Sequence, residues 1–263
     1  MTAVLPRNEI ALARRTLRGL TGGGGTNLFS DVDSDPKTRK SNKRGRFLTR
    51  IQYFAPAKIS GHEVCASRSP GCTIGCLHTA GVPFQMPGKE RSRIGRTQFY
   101  FKHRDLYRQL LVAEVSAHVY KSKALGLRPA VRLNGTSDIV WERVFPELFG
   151  MFPTCKFYDY TKHVKRMLSG WKLPRNYHLT FSRSEANDAE CDRILTDNRH
   201  ARIAVVFNTT RTKPLPKWFA GHKVVDGDLH DERFEDRGGR IVGLRAKGKA
   251  RLDDSGFVVD TLR

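Results

Sequence analysis

Three cysteines fall within twelve residues, Cys65, Cys72 and Cys76, spaced by six and three residues among Gly and Pro, with His62 and His78 nearby. Thiolates are soft ligands suited to zinc or to iron–sulfur clusters. A loop of this composition can bring all three to one point. Zinc takes four ligands, so His62 or His78 would be the fourth. An iron–sulfur cluster held by three thiolates leaves one iron open to a cofactor or substrate. Spacing alone leaves both metals open. Cys155 and Cys191 lie far away in sequence and read as buried small hydrophobes.

A second chemical signal comes from short apolar runs that each end in polar residues. These ends read Asn134-Gly-Thr-Ser-Asp138, Asp159-Tyr-Thr-Lys162, Ser182-Arg-Ser-Glu185, Asn208-Thr-Thr-Arg211 and Asp226-Gly-Asp-Leu-His230. In a β/α barrel the carboxyl ends of the strands open on one face and carry the site. Helix caps alone would also account for Ser, Thr and Asp there. Asp226, Asp228, His230 and Asp231 suit a hard cation such as Mg²⁺, or simply a turn. Tyr158 and Lys162 invite comparison with the tyrosine nucleophile of rolling-circle initiators, but no His-x-His occurs to hold their metal. The glycines at 22–25 lack the Gly-Lys-Ser/Thr ending of a phosphate loop.

The cysteine loop followed by Leu77-His-Thr-Ala-Gly81 resembles the signature of the phage "gene product 88" family. The blocks Arg132-Leu-Asn-Gly-Thr-Ser-Asp138 and Phe157-Tyr-Asp-Tyr-Thr-Lys162 resemble others of that family, over roughly residues 45 to 250. Its three-cysteine loop ahead of a β/α barrel is similar to the layout of radical S-adenosylmethionine enzymes. That resemblance implies a [4Fe-4S] cluster on Cys65, Cys72 and Cys76. Bound S-adenosylmethionine would then draw on Asn134, Thr136, Asp138, Lys162, Ser182 and Asn208. The spacing departs from the three-and-two pattern of those enzymes, and their Gly-Gly-Glu is missing, since Gly238-Gly239 is followed by Arg240. The resemblance therefore carries cluster binding further than radical chemistry.

Charge supplies the third signal. Forty-seven Lys and Arg face 26 Asp and Glu, a formal +21, with a pI near 10.2. This attracts polyanions and makes nucleic acid the expected macromolecular partner. Lys37, Arg39, Lys40, Lys43, Arg44, Arg46 and Arg50 follow one another without an acid. The first six are the expected nucleic-acid contacts. Lys89, Arg91, Arg93, Arg96, Lys102 and Arg104 surround Phe99, Tyr100 and Phe101, a mixture that suits single-strand binding as well as it suits core. Arg245, Lys247, Lys249 and Arg251 alternate as on one side of a strand.

The elements that must position these residues follow from periodicity. Leu106, Leu110, Ala113, Ala117 and Tyr120 make one stripe of a long helix over Phe101 to Leu125, ended by Gly126 and Pro129. Strands are expected at 130–133, 156–158, 177–181, 203–207, 222–225 and 241–244, with helical segments at 161–168 and 184–195. Strands alternating with helices argue for a largely parallel sheet, read as a partial or full β/α (TIM-like) barrel. Residues 1–45, with Gly22 to Gly25, read as a flexible Gly-rich and basic arm. Residues 46–263 read as a single β/α domain whose cysteine loop occupies 62–81. Hydrophobic residues at 39% supply a core, and no apolar run spans a bilayer. Arg7, Arg14, Arg15 and Arg18 interrupt the only N-terminal apolar stretch, and the odd count of five Cys does not suit a secreted disulfide framework. The expected setting is a reducing cytoplasm, the host's if the gene is a phage's. Two readings result: an iron–sulfur, radical-S-adenosylmethionine-like protein acting on or near nucleic acid, or a non-catalytic DNA- or RNA-binding protein with a structural zinc.

Overall fold

The computed structural model describes residues 6–32, 36–80, 86–210 and 212–261, and of Pro36 and Lys37 the backbone alone. In chain order its helices are α1 (Arg7–Leu20), α2 (Pro36–Asn42), α3 (Ala57–Ser60), α4 (Pro70–Ile74), α5 (Pro87–Lys102), α6 (Arg104–Ala124), α7 (Trp141–Val144), α8 (Glu147–Met151) and α9 (Asp188–Asp197). Its strands are β1 (Phe47–Ile51), β2 (Arg128–Arg132), β3 (Lys156–Thr161), β4 (Tyr177–Ser182), β5 (Arg202–Phe207), β6 (Trp218–Phe219), β7 (His222–Asp226), β8 (Arg240–Arg245) and β9 (Val258–Val259).

The fold is mixed α/β, and its nine strands form a mostly parallel sheet that does not close into a barrel. A barrel needs each strand to pair with its successor around the ring. Here β5 pairs with β8, β8 with β7, and β7 turns back antiparallel through β6. Strand β9 pairs with Val206 and Phe207, further along β5 than the Ile203 and Ala204 that β4 occupies. The chain divides into two compact units: residues 1–66, 82–157 and 174–177, and residues 67–81, 158–173 and 178–263. The boundary between them falls within the cysteine loop and within β3.

In the first unit β1 and β2 run parallel in the register Phe47 to Arg128, and β2 continues onto β3 through Ala130 and Val131. The long helix expected over 101–125 is broken at His103, whose φ of −133° and ψ of 58° leave the helical region. The break lets Phe99, Tyr100, Tyr107 and Trp141 pack in tilted, edge-to-face and stacked pairs, with centroids 5.1–6.1 Å apart. His118 on α6 sets its Nε2–H between the carbonyl oxygens of Leu48 (3.0 Å) and Ala130 (3.2 Å). The helix is thereby fastened to two neighbouring strands, and burial together with Arg50 pushes the imidazole down to about 4.

The expected flexible arm is built into this unit. Helix α1 packs on α5 and α6, with Ala13 and Leu17, four residues apart, fully buried. A Cβ at Gly95 would strike Leu20 and Thr21, so glycine there lets the end of α1 reach α5. Glu114 accepts from the Leu28 (2.8 Å) and Phe29 (3.3 Å) amides and lies 3.8 Å from Arg50, which fixes the segment after the glycines. Helix α2 turns Thr38 and Ser41 inward, both fully buried. The Thr38 hydroxyl and Asn42 Nδ2 donate to the Val32 carbonyl, and Asn42 Oδ1 accepts from the Thr49 amide of β1. A cationic run can form an ordered helix here because its three short polar residues share one face.

The second unit holds β4, β5, β8, β7 and β6 in that order. The helix expected over 161–168 is a single 3-10 turn at 164–167, and that expected over 184–195 starts later, as α9. Segment 230–236 is buried through Asp231, Glu232 and Arg233. Asp231 accepts from the Tyr158 hydroxyl at 2.9 Å, and Arg233 reaches Asp236 at 3.0 Å.

Candidate nucleic-acid interface and the cysteine loop

In the second unit Cys72 and Cys76 lie on a loop with defined anchors. Ser69 caps α4 by accepting from the Cys72 amide (3.2 Å). Glu185, just beyond β4, accepts from the Gly71 amide and the Ser69 hydroxyl, both at 2.7 Å. Burial opposes ionisation of Glu185, but these donors outweigh it and hold the carboxyl below its ordinary range. Gly71 has no room for a Cβ, because Ser255, Phe257 and Glu185 close over it. Both thiols are half-buried. In the first unit Cys65 is also half-buried, its amide donating to Glu63 (2.6 Å) and its Sγ lying 3.8 Å from the Thr136 carbonyl. Among the described residues no group of three or more His, Cys, Asp or Glu is arranged to hold a metal ion.

The six residues expected around S-adenosylmethionine divide between the units. Lys162 follows β3, Ser182 ends β4 and Asn208 follows β5, all in the second unit. The Lys162 ammonium donates to the Ser182 hydroxyl (2.8 Å) and to the Ser182 and Arg183 carbonyls (3.2 and 3.3 Å), which commits its three donors to closing the end of β4. Exposed Asn208 donates its amide to Val259 at 2.8 Å. In the first unit Asn134 is buried. Its Oδ1 accepts from Ser137 (2.7 Å), the Ile139 amide and the Trp141 indole (both 3.1 Å). The Thr136 hydroxyl donates to the Phe54 carbonyl (2.6 Å), and the Asp138 amide donates to Val64 (2.7 Å). These three side-chain and backbone sets organise the loop after β2. Gly81 and Arg211 lie outside the described residues.

The acidic run of the second unit is neutralised from within. Arg245 grips both oxygens of Asp226 (3.0 and 2.9 Å) and reaches Asp228 at 3.3 Å, while Lys247 pairs with Asp228. Burial opposes the Asp228 charge, and Lys247 with Arg245 more than restores it, so its carboxyl stays low. Arg245, Lys247, Lys249 and Arg251 do not alternate on a strand. Strand β8 ends at Arg245, and a 3-10 turn opens at Gly248 with a φ of 56°. The aromatic and basic set along α5 and the start of α6 is divided, with Lys89, Arg91 and Lys102 exposed and the aromatic residues turned inward. Phe99 and Tyr100 are core, Arg93 stacks over Tyr53 at 4.9 Å and Arg104 over Tyr100 at 4.0 Å.

The basic run of the first unit lies at the surface. With Thr38 and Ser41 turned inward, Arg39, Lys40 and Lys43 project outward, and Arg44 and Arg46 follow on the turn into β1, all five exposed. The side chain of Lys37 lies outside the described residues. The Arg46 carbonyl accepts from the Arg128 amide (3.2 Å), which brings exposed Arg128 to the same end of the unit. Exposed Lys121 and Lys123, in the last turn of α6, lead into it. Neither 36–50 nor 115–137 contains an acidic residue. The result is a cluster of exposed cations at the amino ends of β1 and β2.

Comparison with known proteins gives one match, to the Gene product 88 family over residues 28–261. The chain belongs to this phage protein family. No curated protein and no solved structure matches it. The family's span takes in the basic face, the cysteine loop and every strand, and it begins after α1. No helix among the described residues is long and apolar enough to cross a membrane. Three residues of the basic face, Lys121, Lys123 and Arg128, escaped the sequence reading because they belong to a helix end and a strand start. The long gap without acid after Glu114 was their signal. Glu185 escaped as an anchor because nothing local ties it to Gly71, 114 residues away.

Proposed function

We propose that this chain is a phage nucleic-acid-binding protein that engages the sugar–phosphate backbone through the basic face of its first unit. The observation that carries the reading is the pinned helix α2. Buried Thr38 and Ser41 commit its other side, Arg39, Lys40 and Lys43, to solvent. Arg44, Arg46, Lys121, Lys123 and Arg128 extend the same end of the unit. Cations held on an ordered scaffold release counterions from a polyanion without first losing the entropy of a mobile tail. The formal +21 supports the same partner at long range.

The test is the salt dependence of binding, measured by anisotropy of labelled single-stranded and duplex DNA. Each phosphate neutralised contributes a slope of about −0.7 to −0.9 in log K against log salt. The reading expects several such contacts and tight binding at about 50 mM salt that weakens at least a hundredfold by about 200 mM. Affinity independent of salt would contradict it.

The cysteine loop supports a second reading, as a metal protein. Cys72 and Cys76, four residues apart on a loop anchored by Glu185, are the two thiols the second unit offers to zinc or to an iron–sulfur cluster. Metal and sulfide content of protein purified without oxygen tests it.

A further inference from the structure

Resting on the nucleic-acid reading, we infer that the β6–β7 hairpin of the second unit is a base-stacking contact for single-stranded nucleic acid, with Trp218 as its platform. Tryptophan is seldom left in water, yet Trp218 is 63% exposed. The exposure follows from the pleat. Neighbouring side chains on a strand point to opposite faces, and Phe219 takes the inward place against Phe207, 5.5 Å away and nearly perpendicular. Trp218 must then face outward. Lys223 is its cross-strand partner and shares its face.

The hairpin is stiff. Ala220 and Gly221 form a two-residue turn with φ of 46° and 74°, the left-handed pair of a type I′ turn. Ala220 is the only non-glycine with positive φ among the described residues. Such strain persists where the surroundings dictate the backbone. The charge along the hairpin is of one sign. Residues 212–225 contain Lys213, Lys217, His222 and Lys223 and no acid, and the three lysines are exposed. A protein partner would gain little from an isolated ring among lysines. A polyanion with accessible base faces gains stacking from Trp218 and phosphate contacts from Lys217 and Lys223. A duplex hides its base faces within the stack, so the hairpin favours single strands.

The test compares the full-length wild type, Trp218→Ala, Trp218→Phe and the Arg39→Glu/Lys43→Glu/Arg44→Glu protein. The probes are labelled oligo(dT) of about 20 nucleotides and a duplex of the same length. Trp218→Ala is expected to weaken oligo(dT) binding about tenfold, within the range that loss of one stacked base produces. Duplex affinity and the salt slope should stay as in wild type, because no charge is removed, and Trp218→Phe should recover most of the loss. Unchanged oligo(dT) affinity in Trp218→Ala, beside a wild type that binds and a charge-reversed protein that does not, overturns this inference alone. Equal losses on duplex and single strand also overturn it. A change of solution mass with Trp218→Ala, without loss of oligo(dT) affinity, would make the hairpin a protein interface instead. A wild type that binds neither probe overturns both readings together.

Discussion

Two cation-rich segments of this chain meet opposite fates. Residues 37–46 carry six Lys and Arg, and residues 245–251 carry four. In the first, Thr38 and Ser41 take the buried positions, Asn42 ties the helix to Val32 and Thr49, and Arg39, Lys40, Lys43, Arg44 and Arg46 are exposed. In the second, Arg245 and Lys247 are spent on Asp226 and Asp228. Cation count therefore does not identify a polyanion-binding surface. What decides is where the fold places the cations, exposed on a pinned helix or committed to a half-buried turn, and that is a long-range property of the chain.

The sharpest break of this comparison is charge reversal. Arg39→Glu/Lys43→Glu/Arg44→Glu should weaken DNA binding about a thousandfold at low salt and flatten the salt slope by about 2 to 3, since three phosphate contacts become repulsions. Arg245→Ala/Lys247→Ala should leave DNA binding within a few-fold and instead lower stability, by stranding Asp226 and Asp228. Anisotropy titrations of both proteins check the contrast. Equal losses would erase it.

A smaller effect tests the scaffold beneath the basic face. The folded His118 pKa of about 4 lies below its ordinary 6.5. Between those values the unfolded chain binds a proton that the folded chain refuses, so stability falls as pH drops from 6.5 towards 4. The fall attributable to His118 amounts to about 3 kcal/mol. Denaturant unfolding at a series of pH values measures it, and His118→Gln should flatten that part of the profile.

In the second unit the anchored loop gives a weaker response in a lower pH window. Glu185 has a depressed pKa, so its contribution is complete above the ordinary carboxylate value near 4.5 and is lost as pH falls through its lowered one. Glu185→Ala removes the acceptor for Gly71 and Ser69 and should cost about 1–2 kcal/mol. Faster amide exchange confined to residues around 69–76 would localise the loss. The smallest effect belongs to the hairpin. Ala220→Gly relieves a left-handed alanine and should raise stability by up to about 1 kcal/mol, readable as a small rise in Tm.

Much of the architecture was legible from local pattern. The apolar runs at 177–181, 203–207 and 241–244 lie within β4, β5 and β8, because a buried parallel strand needs a continuous apolar stretch. That the sheet stays open was not legible, since pairing of β5 with β8 rather than with the next strand depends on contacts across more than thirty residues. The break at His103 was hidden because the stripe of α6 continues the residue count from α5. The basic run was visible but its order was not. Glycines and lysines suggest a mobile arm until Thr38, Asn42 and Glu114 are seen to hold the segment to Val32, Thr49, Leu28 and Phe29. The cysteine spacing was equally plain, while the division of Cys65 from Cys72 and Cys76 between two compact units had no local sign.

Lysine footprinting tests the central claim most directly. The full-length protein would be acetylated with and without saturating DNA, and the modified lysines counted by mass spectrometry. The account predicts strong protection at Lys40, Lys43, Lys121 and Lys123 and an unchanged Lys247. Protection that spares the first four, or that centres on Lys247, would contradict it.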